Sequence, residues 1–94
     1  MRPMRKILSL GHVVATPGAL HALVLAGENA LLYLARHASG DWGEVCPDDA
    51  HANELARETG ERILSAYRLR GGTKLWIITE ADRSSTCILL PEEY

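Results

Sequence analysis

The hydrophobic positions change period once, near residue 62, and that change separates a helical part of the chain from a strand part. Before it, residues 7–14, ILSLGHVV, are β-rich, with Gly11 marking a bulge or an end. Thr16 and Pro17 then form a helix start. A threonine hydroxyl can cap free backbone N–H groups, and proline at the first helical position loses nothing by lacking its own. This helix runs to about Ala26, and Gly27 supplies the left-handed residue past its end. Leu20, Leu23, Val24 and Leu25 cover most of its circumference, which predicts a largely buried helix. A second helix, residues 28–38, places Leu31, Leu34, Ala35 and Ala38 on one stripe and is stopped by Gly40. Arg36 and His37 lie in its last turn, where positive charge suits the helix dipole. With so tight a link the two helices read as an α-hairpin. A third helix, residues 47–59, opens on Pro47, Asp48 and Asp49 and ends at Gly60. Its apolar face is thin (Ala52, Leu55 and Ala56), so it is expected on the surface.

Beyond residue 62 the segments RILSAYRLR and TKLWIITE flank Gly71-Gly72, a hairpin signal with a two-residue primed turn. The loop ADRSS leads to a last strand, TCILL, stopped by Pro91. The expectation is one α+β domain over residues 1–94: an N-terminal strand, three short helices and a C-terminal three-stranded antiparallel β-meander. In its central strand Leu75 and Ile77 oppose Trp76 and Ile78; in the last, Ile88 and Leu90 oppose Cys87 and Leu89. A sheet wet on one side alternates apolar with polar. This one is apolar on both faces, so either the helices wrap both sides or one face is covered by another protein or by a second copy of the chain.

Composition narrows the classes further. Hydrophobic residues make up 47% of the 94 residues, enough for a core and against disorder. A chain this short buries only about 60–65% of its unfolded surface, so the core must be good or a partner must help. Phe is absent, which leaves Leu, Ile, Val and Ala to fill the interior. The net charge of −2 does not suggest a dedicated nucleic-acid binder. Cys46 and Cys87 are expected as reduced thiols in a cytoplasmic protein. Arg2, Arg5 and Lys6 before an apolar run imitate a secretion signal, but Ser9, Gly11 and His12 interrupt that run and the reading is a basic tail entering a strand. No segment has the roughly 20 apolar residues of a membrane span.

Three stretches carry candidate chemistry. In SGDWGE, residues 39–44, Trp42 sits between Asp41 and Gly43, either folded back over a small core or turned outward as a contact. His37 lies four residues before Asp41, and a carboxylate beside an imidazole can orient it as an acid or base. In ADRSST, residues 81–86, Arg83 with Ser84, Ser85 and Thr86 offers a guanidinium fork and hydroxyls suited to a phosphate or carboxylate; the bland alternative is a polar turn satisfying its own backbone. Arg68, Arg70 and Lys74 with Tyr67 and Trp76 interleave basic and aromatic residues as single-stranded nucleic-acid binders do, or simply guard a sheet edge. Cys46, His51, His12, His21 and Cys87 show no metal-ligand spacing, and no phosphate loop, dinucleotide fingerprint or hydrolase elbow occurs, so neither metal nor cofactor is expected.

As a set, GHVVATPGAL, HASGDWGE and LWIITEADRSSTCILLPEEY resemble a family of small uncharacterised bacterial proteins carried on plasmids and other mobile elements. Its members are labelled plasmid-related and sometimes "type I restriction endonuclease subunit M". The chain is too short for a methyltransferase domain and has no cofactor motif for one. What the resemblance implies is therefore a setting, bacterial cytoplasm and mobile DNA. The expected function is an accessory binding protein that modulates or inhibits a host defence or restriction complex. The alternatives are a nuclease-like toxin using His37, Asp41 and Arg83, and a homo-oligomeric structural protein.

Overall fold

A computed structural model describes residues 7–94, and the basic tail expected at Arg2, Arg5 and Lys6 lies outside them. The elements are β1 (His12–Ala15), α1 (Pro17–Ala26), α2 (Ala30–Ser39), α3 (Pro47–Thr59), β2 (Ile63–Arg68), β3 (Lys74–Thr79), β4 (Ser85–Leu89) and a closing 3-10 turn (Pro91–Glu93). The sheet runs in the order β1-β4-β3-β2. β2, β3 and β4 pair antiparallel, but β1 joins the far side of β4 in parallel, pairing Val13 with Thr86 and Ala15 with Ile88. The fold is α+β as expected; the sheet is four-stranded and mixed, because the N-terminal strand joins the antiparallel meander in parallel. The cause is the path of the chain. Three helices carry it from β1 to the opposite edge, and two hairpin reversals then bring β4 back running the same way as β1.

Local chemistry explains the boundaries. Thr16 Oγ1 accepts from the Ala19 N–H at 3.1 Å, and Gly27, Gly40 and Gly60 close α1, α2 and α3 in the left-handed region. β1 starts at His12 and not at residue 7, because the Leu8 N–H is bonded at 2.9 Å to the Ala38 carbonyl at the end of α2. The β2–β3 turn is also longer than a two-residue link. Leu69 N–H reaches the Thr73 carbonyl and Gly72 N–H the Leu69 carbonyl, so Arg70, Gly71 and Gly72 form the loop, with both glycines at positive φ.

All three helices pack on one side of the sheet. Ile63, Ser65 and Tyr67 of β2, Leu75, Ile77 and Thr79 of β3, and Thr86 and Ile88 of β4 face them. α1 contributes Ala19 and Leu23, α2 contributes Tyr33 and His37, and α3 contributes Ala56. The helix faces differ from expectation. Leu20, Val24 and Leu25 of α1 are exposed, so this helix is apolar all round but buried on one stripe only. In α2 the buried stripe is Tyr33, His37 and Ala38, so Ala38 is inside as expected and Leu31 outside; in α3 it is Asn53 with the expected Ala56, while Leu55 is half exposed. α1 and α2 bend by 108° at their link, a corner and not an antiparallel hairpin. Among the described residues no single helix is long and apolar enough to cross a membrane.

Candidate functional site

Among the fully buried residues His37, Ser65, Thr79 and Thr86, His37 is the largest. Its ring is fully buried, with Nδ1 2.5 Å from Ser65 Oγ and Nε2 2.8 Å from Thr79 Oγ1. Thr79 Oγ1 in turn lies 2.8 Å from Thr86 Oγ1, which donates at 2.8 Å to the Leu10 carbonyl. That carbonyl can only accept, and this fixes the direction of the chain as far as the ring. Thr86 spends its proton on Leu10, so Thr79 donates to Thr86 and His37 donates from Nε2 to Thr79. The ring thus carries a proton on Nε2, and because burial keeps it neutral, Nδ1 accepts from Ser65. Burial, helped by the positive charge of Arg83, pushes its pKa down to about 4. Both ring nitrogens are occupied in the interior, so the ring faces no solvent or substrate.

Trp42 is 6% exposed and lies inside, edge-on to His37 with ring centroids 5.8 Å apart. Its Nε1–H donates to Glu54 at 2.9 Å, and the Arg57 guanidinium lies 5.9 Å from its ring centre. Asp41 is half exposed and pairs with Arg36 at 2.7 Å, which lowers its pKa; its backbone carbonyl accepts from the Tyr67 hydroxyl. The glycines around Trp42 have a structural use. Ala66 N–H donates to the Trp42 carbonyl and Glu44 N–H to the Ala66 carbonyl, so residues 42–44 lie along the outer edge of β2. Gly43 has φ 72°, and a Cβ there would run into the Ala66 carbonyl. One step along, the Asn53 side-chain amide bonds both the N–H and the carbonyl of Leu64. SGDWGE is thus a seal: with Asn53 it closes an edge that would otherwise present open backbone groups.

Arg83 is bound to backbone. Its Nη1 donates to the carbonyls of Glu61, Glu80 and Ala81, and Nη2 donates to Ala56 at 2.8 Å, fastening the end of α3 to the β3–β4 turn. Arg83 itself holds φ 61°. The neighbouring hydroxyls diverge. Ser84 is exposed, its N–H on Asp82; Ser85 begins β4 facing away from the helices; Thr86 is buried in the His37 chain. A cleft of about 490 Å³ beside Arg83 is lined by Ile7, Leu8, Ser9, Glu54, Arg57 and Glu58. His37 and Asp41 are not part of it, and His37, Asp41 and Arg83 each bond elsewhere.

The other face of the sheet carries no helix among the described residues. Leu64 and Ala66 of β2, Trp76 and Ile78 of β3, Cys87 and Leu89 of β4 and Val14 of β1 lie on it. Ala66, Ile78 and Leu89 are buried, whereas Leu64, Trp76 and Cys87 are part-exposed and Val14 is 53% exposed. Burial raises the Cys87 thiol pKa; Cys46, like Cys87, is a free thiol. Tyr94 stands edge-on to Trp76 at 5.7 Å, with its hydroxyl on Arg62 and the Arg62 guanidinium 5.2 Å from its ring centre. Arg68 and Lys74 stand across from each other on this same face, Arg68 paired with Glu44. Of the basic and aromatic set in the hairpin, Tyr67 is inside at 1% exposure and the Arg70 N–H is held by Glu28.

Ser65 and Thr79 escaped sequence reasoning, although each is a hydroxyl at an inward position of an apolar strand. That parity break is a usable signal, since a buried hydroxyl needs a partner. Nothing in the sequence flags Arg62 and Tyr94. No protein-family model, curated protein or solved structure matches the chain.

Proposed function

We propose that this chain is an accessory binding protein that acts by contact and takes a protein partner on the open face of its sheet. The observation that carries the reading is the apolar face, without a helix among the described residues, that bears Val14, Leu64 and Trp76, with Trp76 braced by Tyr94 and Arg62. Tryptophan and arginine are typical anchors of protein interfaces, and an apolar centre with charged residues at its border is their usual anatomy. Arg62, Arg68, Lys74 and Glu80 are exposed and supply such a border. The resemblance to mobile-element proteins extends the proposal to a bacterial cytoplasmic role, modulating or inhibiting a defence or restriction complex; that extension rests on analogy alone.

The enzymatic alternative, a small phosphodiester-processing toxin using His37, Asp41 and Arg83, draws less support. A general base needs access to the proton it removes, and the His37 ring is enclosed with both nitrogens occupied.

The test is capture from bacterial lysate by the tagged protein, with and without nuclease, followed by reconstitution with the purified partner. Trp76→Ala is the informative variant, because its side chain is part-exposed and its loss leaves the core intact. A protein that survives nuclease, rebinds when pure and is lost with Trp76→Ala supports the reading. Recovery of nucleic acid alone, or binding indifferent to Trp76, overturns it.

A further inference from the structure

The corner between α1 and α2 exposes a second apolar surface, distinct from the open sheet face. Leu20, Val24, Leu25, Leu31 and Leu32 are 51–76% exposed and occupy thirteen residues around the Gly27–Asn29 link. None is needed by the core: α1 packs through Ala19 and Leu23, and α2 through Tyr33, His37 and Ala38. α1 contains no Asp, Glu, Lys or Arg. The one carboxylate at the link, Glu28, is part-buried, taking the Tyr33 hydroxyl at 2.6 Å and the Arg70 N–H at 2.7 Å. The outward surface of the corner is therefore apolar at its centre, with Arg70 at its border, where it lines a shallow pocket together with His21 and Leu25.

We infer that this corner is a self-association surface, on which two copies of the chain pair about a two-fold axis. Three physical points select a second copy as the occupant. A two-fold interface presents the same patch to itself, so its apolar centre meets an apolar centre while Arg70 stays at the rim. At the observed exposures the five side chains offer on the order of 500 Å². Full pairing of two copies buries at most about 1,000 Å², the lower limit for a specific interface and the size of a weak dimer. A lipid surface fits less well, because interfacial helices carry Lys and Arg along their polar face and α1 has neither.

Sedimentation velocity from about 1 µM to about 1 mM reads the proposal directly. The expected result is a monomer that becomes a dimer across this range. Leu25→Glu with Leu31→Glu should leave a monomer at every concentration, with circular dichroism and melting temperature unchanged because both positions are 68–74% exposed. Val14→Glu, on the open sheet face, should dimerise as the parent does. A parent that stays monomeric throughout overturns the inference, as does a dimer that survives the paired substitution or is dissolved by Val14→Glu. A parent that is monomeric in solution yet sediments with neutral phosphatidylcholine vesicles overturns it in favour of a lipid surface. None of these results depends on capture of a partner by Trp76.

Discussion

His37 on α2 and Thr79 on β3, 42 residues apart in sequence, share a 2.8 Å hydrogen bond from the imidazole Nε2–H to the threonine hydroxyl. With Ser65 on the other ring nitrogen, the bond fastens the helical layer to the sheet at a point where apolar packing would be the default. A satisfied polar network of this kind specifies one docking geometry, because any shift leaves a buried donor without its acceptor. His37 is thereby a structural residue.

Stability should fall with acid in a window set by His37. Its imidazole stays neutral in the folded protein down to about pH 4, against an ordinary value of 6.5 in the unfolded chain. Between those values the unfolded state binds more protons. The contribution is therefore complete above pH 6.5, declines as pH falls through the window and levels off below about 4. A gap of this size corresponds to about 3 kcal/mol. Urea unfolding across the window should show the slope in the parent. His37→Gln, whose amide can accept from Ser65 and donate to Thr79, should flatten it.

Thr79→Val should cost about 1–3 kcal/mol, since it leaves the His37 N–H without an acceptor and Thr86 without a donor while keeping the side-chain volume. Ser65→Ala leaves Nδ1 without its partner but keeps the Nε2–H on Thr79, and should cost less. Denaturant midpoints of the two variants give the order, and the reverse order would contradict the direction assigned to the chain.

Arg83→Ala should destabilise through the carbonyls it holds at the end of α3 and in the β3–β4 turn, and Arg83→Lys should not restore the loss, because an ammonium cannot span them as the planar fork does. Removing the charge should also raise the His37 pKa, observable as an upfield-to-downfield shift of its ring protons at higher pH than in the parent.

Trp42→Ala should cost about 3–5 kcal/mol, the usual range for an emptied aromatic core site. Trp76→Ala should cost clearly less and leave the melting transition cooperative, because its ring is only part-buried. Comparable losses at both tryptophans would show that the open sheet face is a second core.

Gly43→Ala should be among the most damaging single-methyl changes, above about 2 kcal/mol. It combines a positive φ with a Cβ forced against the Ala66 carbonyl, and it opens the β2 edge. Gly71→Ala shares the positive φ but meets nothing within 4 Å, so thermal melts of the pair separate backbone strain from collision.

Much of the fold was legible in the chain because its signals are local. Thr16-Pro17, Gly27, Gly40 and Gly60 mark helix ends through their own backbone preferences, and the alternation in KLWIIT assigned Leu75 and Ile77 to one face and Trp76 and Ile78 to the other. The candidate chemistry was read less well. His37, Asp41, Arg83, Ser85 and Thr86 are residue types that could serve a phosphate, but a side chain's role depends on what the tertiary fold sets beside it. Arg83 met carbonyls, Thr86 met His37, and Asp41 met Arg36.

The sequence by itself determined where the helices start and stop, which segments hold the strands, and that its sheet is apolar on both faces. Only the tertiary structure decided that β1 lies parallel to β4, that every helix takes the same face, that Trp42 is interior and Trp76 is not, and that Leu20, Val24, Leu25, Leu31 and Leu32 are left outside. The reason is physical. Helix caps and strand alternation are fixed by backbone preferences a few residues long, whereas strand partners and helix faces are chosen by competition for one limited core. An apolar side chain carries no label saying whether it won that place.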